Sequence, residues 1–197
     1  RGISMKTKFF LGLITLVVVA CTNTAATAGP TFQLGGELPS FELSVPTDEA
    51  HKEYLGLSGS GSFTVSDIDA EVVIIEIFSM YCPHCQREAP KINDLYRLIE
   101  ENEQLRGKIK LIGVGAGNSD FEVNVFRQTY QVPFPLFADE RFAIHKALGE
   151  LRTPYFIGVK IKNGGHEIFY SKLGGFESPE VFLQSMVDRS GLKREGK

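Results

Sequence analysis

Two cysteines separated by a Pro-His pair, Cys82-Pro83-His84-Cys85, are the residues of this chain best placed to do chemistry. Their loop is so short that a disulfide between them would constrain the unfolded chain very little. A structural staple is therefore a poor explanation, and a thiol pair that opens and closes reversibly is a better one. An apolar, β-branched run, Val72-Val73-Ile74-Ile75, precedes the pair, and a helical pattern from Gln86 to about Leu105 follows it. Cys82 thus falls where a buried strand gives way to a helix. The free N–H groups and the positive dipole end of that helix favour a thiolate, the nucleophilic form of cysteine. Pro83 suits the first turn, where its missing N–H costs nothing. His84, if protonated or donating a hydrogen bond, would stabilise the thiolate further. Cys85, nearly one turn on, should point inward and act as the resolving thiol, attacking a mixed disulfide between Cys82 and a substrate.

Other chemistries fit the residues less well. A zinc site needs four ligands, usually from a second cysteine pair, and His51, His145 and His166 are scattered. Haem attachment needs a histidine directly after the second cysteine, where Gln86 stands. No metal site and no external cofactor is expected; the redox group is the Cys82–Cys85 pair itself. The net charge of −3 argues against a nucleic-acid partner. Gly113-x-Gly115-x-Gly117 follows a strand but lacks dinucleotide-fingerprint spacing and reads as a turn.

The front end reads as an export signal. Lys6 and Lys8 precede an apolar run from Phe9 to Ala20, too short for a comfortable membrane span. Residues 1–4 precede Met5 and read as a tag or upstream read-through. Val18-Val19-Ala20-Cys21 resembles a bacterial lipobox. That resemblance implies cleavage before Cys21 and lipid on its side chain, so that the lipid membrane becomes a partner; cleavage after Ala28 is the alternative. Either way the domain is expected outside the cytoplasm, in a bacterial periplasm or cell envelope, where disulfides persist. The expected organisation is a signal or lipoprotein segment over 1–21, a flexible tether over 22–33 and one domain over 34–192.

The elements that must position the pair can be read in order. Leu34 to Leu43 is an irregular or edge-like lead-in. His51–Leu57 and Ser62–Val65 flank Ser58-Gly59-Ser60-Gly61 and suggest a β-hairpin, making 34–66 an N-terminal hairpin extension. After the buried strand Val72–Phe78, Ile92, Leu95, Tyr96, Leu98 and Ile99 fall at helical spacing, with Pro90 inside the helix and Gly107 at its end. Ile109–Val114 is a second apolar strand, and Lys110 on it reads as solvated. Phe121–Tyr130 is a helix, Phe134–Phe137 an extended piece and Arg141–Leu148 a short helix. Tyr155–Ile161 and His166–Tyr170 flank an Asn163-Gly164 turn, a strong hairpin signal. Ser178-Pro179-Glu180 opens a last helix running to about Ser190. This order predicts an α/β fold with a central mixed sheet flanked by helices.

The stretch Glu76 to Cys85, Glu-x-Phe-Ser-x-x-Cys-Pro-His-Cys, resembles the active-site strand and helix of DsbA-type oxidoreductases. Leu38-Pro39-Ser40-Phe41-Glu42-Leu43 resembles the lead-in of the TlpA/ResA and redoxin branch of the thioredoxin superfamily, and Leu148 to Phe156 resembles that superfamily's cis-proline loop. Only about 40 residues separate Ile112 from Pro154, which matches the compact TlpA/ResA architecture and leaves no room for the helical insertion of DsbA. The resemblance implies a thioredoxin-like fold and an extracytoplasmic thiol-disulfide oxidoreductase acting on protein thiols and disulfides with a membrane redox partner. It implies a cis Thr153–Pro154 bond beside the cysteines and a buried acid, Glu76, that takes the Cys85 proton. The tetrad suggests an oxidant and the scaffold a reductant. A copper metallochaperone or a thiol peroxidase on the same fold is the alternative.

Overall fold

The computed structural model describes residues 29–162 and 165–192, together with the first two residues. Cys21 and the Asn163-Gly164 turn lie outside the described residues.

The centre is a five-stranded sheet in the order β5-β4-β3-β6-β7. Strand β3 (Val72–Phe78) is buried at every position, and β4 (Ile109–Ala116) runs parallel beside it. Such continuous apolar strands are what a sheet covered on both faces requires. Strand β6 (Tyr155–Lys162) pairs with β3 antiparallel on the other side, and β7 (Gly165–Leu173) closes that edge; β5 (Leu136–Asp139) closes the opposite one. The chain therefore leaves β3 toward one side and later returns on the other, and a crevice forms at the carboxyl end of a strand in that position.

Alternation along the strands divides the core in two. Val72, Ile74 and Phe78 face helices α2 (Pro83–Glu101), α3 (Asp120–Tyr130) and α5 (Pro179–Ser190). Ile92, Leu95 and Ile99 of α2 are fully buried there, each worth roughly 1.5–3 kcal/mol relative to exposure. Val73, Ile75 and Ile77 face the N-terminal segment and the short helix α4 (Ala143–Ala147). Pro90 lies inside α2, which ends at Asn102, earlier than Gly107.

The expected N-terminal hairpin is corrected. His51–Leu57 is not a strand but most of helix α1 (Glu49–Leu55), because Asp48 accepts from the His51 N–H at 3.0 Å and Gly56 terminates the helix in the left-handed region, φ 68. Strand β2 (Ser62–Phe63) pairs instead with β1 (Leu43–Ser44), and Val65 begins a 3-10 turn. The lead-in is edge-like as expected: Gly35 donates to Ile168 O and Ile168 to Gly36 O, so it covers the free side of β7.

The three glycines after β4 begins are packing residues. A Cβ at Gly113 would lie 2.4 Å from Leu136 and one at Gly117, φ +66, 2.1 Å from the Phe142 ring; one at Gly115 would lie 3.0 Å from Val123. Lys110 is also corrected: it is buried, its ammonium 4.3 Å from the Tyr54 ring centroid.

Candidate active site

Cys82 is the N-cap residue of α2, in extended conformation, with Pro83 at the first helical position. The turn that delivers it is clamped. Cys82 N–H donates to Ser79 O at 3.0 Å. The Met80 N–H donates to Asn118 Oδ1 at 2.8 Å and its carbonyl accepts from Gln86 Nε2 at 2.7 Å, so a side chain of the loop after β4 and one of α2 satisfy both of its backbone groups. Tyr81 is exposed and hydrogen-bonds Glu122 at the start of α3. Both cysteines are thiols in this structure.

The Thr153–Pro154 peptide is cis, and it brings the Thr153 carbonyl to 3.4 Å from Cys82 Sγ, where it accepts from the thiol. The loop carrying it is held from α4. His145 Nε2 meets Leu151 O at 2.8 Å, while the buried Asp139 accepts from the backbone N–H of Ile144 and of His145.

The environments of the two thiols push them apart. Partial burial raises Cys82, but hydrogen bonds from the Thr153 side chain, from the Cys85 backbone and thiol, and from the His84 N–H outweigh it, and the net displacement is downward. The Thr153 contact comes from the cis-proline loop, and the Cys85 and His84 N–H groups supply the stabilisation a helix N-terminus offers. Cys85 has no exposed surface; burial, then the charge of Glu76, raises it far above its ordinary range.

Glu76 is 2% exposed and lies on the α2 face of β3. Its Oε1 meets no hydrogen-bond partner among the described residues. Burial first, then the like charges of Glu88 and Cys82, push its carboxyl from 4.5 up to about 8. A carboxyl so placed exchanges its proton near neutral pH.

His84 does not sit as expected. Its backbone, not its ring, supports Cys82; the ring Nδ1 meets Arg87 Nη2 at 2.9 Å. A guanidinium only donates, so Nδ1 accepts and the ring proton of this contact sits on Nε2.

Residues that the sequence did not single out complete the site. Glu88, three residues beyond Cys85, is buried; its Oε1 accepts the Phe176 N–H at 2.8 Å and its Oε2 lies 3.4 Å from the Lys91 ammonium. A Cβ at Gly175 would overlap that carboxyl at 2.3 Å. Asn118 is fully buried, and Gln86 holds the turn from within α2. Helical spacing from Cys85 could have found Glu88; nothing local marks Asn118. Among the described residues, no three His, Cys, Asp or Glu side chains form a set that could hold a metal ion.

The profile of the AhpC/TSA family matches residues 34–179, most of the chain. The chain belongs to that family. Thiol-disulfide oxidoreductase ResA of Oceanobacillus iheyensis is 22% identical over 154 residues, covering 77% of this chain and 73% of that protein. Among solved structures, a candidate protein disulfide isomerase from Bacteroides thetaiotaomicron aligns with TM-score 0.60 at 20% identity, over 86% of this chain and 96% of its own. The thioredoxin domain of a thiol-disulfide oxidoreductase from Bacteroides vulgatus aligns with TM-score 0.58 at 12% identity, over 83% and 100%. These likenesses carry the fold, and the fold is that of thioredoxin.

Proposed function

We propose that this AhpC/TSA-family thiol-disulfide oxidoreductase exchanges its Cys82–Cys85 pair with cysteines of protein substrates outside the cytoplasm. The observation that carries the reading is the division of labour at one helix terminus. Cys82 is partly exposed, its thiolate favoured, and a cis-proline loop stands at 3.4 Å; Cys85 lies buried beneath, in reach of the charge of Glu76.

The Cys82 thiolate attacks one sulfur of a substrate disulfide, forming a mixed disulfide while the other substrate sulfur leaves as thiolate. Cys85 then attacks Cys82 Sγ. Its proton passes to Glu76, whose raised affinity for protons suits it to the role, and the second substrate sulfur leaves. The enzyme ends oxidised and the substrate reduced; run backward, the same steps oxidise the substrate. Thr153 presents its backbone beside the reacting sulfurs, with Pro154 setting that loop, Pro83 allowing the helix to start at Cys82, and the His84 N–H holding the thiolate.

We place the protein in the bacterial cell envelope, held to the membrane by lipid on Cys21 and recharged by a membrane redox protein. The signal-like front end and the redox chemistry support this reading. Replacing Cys82 with Ser is expected to abolish disulfide exchange with a protein substrate, and Cys85→Ser to accumulate a mixed disulfide visible on non-reducing gels. Metabolic labelling with palmitate should mark the full chain and not Cys21→Ala. Exchange that survives Cys82→Ser would end the mechanistic reading.

A further inference from the structure

We infer that the cavity beside Cys82 is a docking groove for an acidic peptide segment that flanks the substrate's reacting cysteine. This deepens the exchange reading above and rests on it.

The cavity measures about 490 Å³ and is lined by Arg87, Glu88 and Lys91 of α2, by Arg152 and Thr153 before the cis-proline, and by Gly174 after β7, among others. Three of these are cations. Among the described residues, one of the three is neutralised: the Glu88 carboxylate takes the Phe176 N–H with one oxygen and faces the Lys91 ammonium with the other, while Lys91 also donates to Phe176 O at 2.9 Å. Arg87 and Arg152 are exposed, and among the described residues neither meets a carboxylate at ion-pair distance. The chain as a whole carries −3, so two guanidiniums with no carboxylate partner among the described residues, at the mouth of the reacting thiol, run against the charge of the molecule. The first turn of α2 carries no acidic residue, so the positive end of its dipole adds to theirs.

The geometry suits an extended backbone bearing carboxylates. Arg87 is steadied through its contact with His84 Nδ1 and keeps its other donors for a partner; a guanidinium fork matches a carboxylate with two parallel hydrogen bonds. At Gly174 nothing lies within 4 Å of where a Cβ would be, so the far wall leaves room for a passing chain. Arg152 immediately precedes Thr153, whose carbonyl marks the position of the reacting sulfur. A substrate cysteine at Cys82 thus places its flanking residues against both arginines.

A competing role for the arginines is to stabilise the Cys82 thiolate, which would speed exchange with every substrate alike. The two are separable. Peptides of one sequence carry a single cysteine activated with thionitrobenzoate, flanked by Glu, Gln or Lys. The reduced protein attacks the peptide sulfur, thionitrobenzoate leaves with the bonding electrons and is followed by absorbance, and Cys85 then releases the peptide thiol. The Glu peptide is expected to react about tenfold faster than the Gln peptide at low ionic strength, with the ratio falling toward one in about 0.5 M salt, as screening of steered association requires. In the Arg87→Gln, Arg152→Gln double variant the ratio should collapse toward one, and because it is taken within each protein, altered thiol reactivity cancels. Equal Glu and Gln rates in the natural protein, a Lys preference, or a ratio untouched by the double variant overturns the inference. No exchange with any peptide overturns the function itself.

Discussion

Glu76 on β3 and Lys110 on β4 are both buried ionisable side chains on adjacent central strands, but they lie toward opposite ends and on opposite faces of the sheet. Lys110 is compensated in part. Burial lowers its proton affinity on balance, the charges of Glu100 and Asp69 offset some of that, and the Tyr54 ring stands 4.3 Å away with its negative face available. Tyr54 in turn accepts the Leu111 N–H at 2.8 Å, tying α1 to β4. Glu76 receives the opposite treatment: its charged neighbours are of like sign, Glu88 and the Cys82 thiolate, and one of its oxygens has no partner among the described residues. A buried charge that serves stability is matched. Beneath the thiols, like-charged neighbours instead hold the Glu76 proton more tightly than an ordinary carboxyl would, as the proposed acceptor of the Cys85 proton requires.

Three substitutions test this contrast. The largest effect belongs to Glu76→Gln. Below about pH 4.5 the Glu76 carboxyl is protonated in both folded and unfolded chains. Above that the unfolded chain releases the proton while the folded protein keeps it until about pH 8, so stability falls across this window and levels off beyond it. The loss is on the order of 3–5 kcal/mol by linkage, and the Gln variant should lack it. Denaturant unfolding at a series of pH values, read as the difference between the two proteins, measures it; a flat difference curve would mean that Glu76 is paired in the folded state. The same variant should resolve mixed disulfides roughly a hundredfold more slowly for want of a proton acceptor.

Tyr54→Phe comes second. It keeps the ring beneath Lys110 but strips the Leu111 N–H of its acceptor, at roughly 1–3 kcal/mol in urea unfolding, with no change in exchange rate. The smallest effect is that of Lys110→Met, within about 1 kcal/mol because the methylene stem still packs. If Lys110→Met altered Cys82 reactivity, the two ends of the sheet would be coupled and the contrast would fail.

Much of the site was legible in the chain. Strand, cysteine pair and helix are contiguous, so local pattern placed Cys82 at the terminus of α2 and Cys85 inside it. The Thr153–Pro154 loop was legible only through its family resemblance, because the contact to Cys82 spans 71 residues. Lys110 was misread because a lone lysine in an apolar strand carries no mark of the ring that will cover it. The N-terminal hairpin failed because Gly59 and Gly61 announce a turn without saying which segments it joins. The decisive signals, the Asp48 cap and the left-handed Gly56, were those of a helix.

By itself the sequence determined the chemistry: two thiols at a strand–helix junction, with an acid six residues upstream in an apolar strand. Strand period, helix period and the helix terminus are local properties, and they suffice to set one thiol at the helix N-terminus and bury the other. Only the tertiary structure decided what surrounds the pair. It turned the His84 ring toward Arg87, set Glu88 beneath Gly175, and brought Arg152 and Thr153 to the lip of the site. The His84–Arg87 contact is a single turn of α2, but the other two join residues far apart in the chain, and packing around the sheet, not local propensity, selects them.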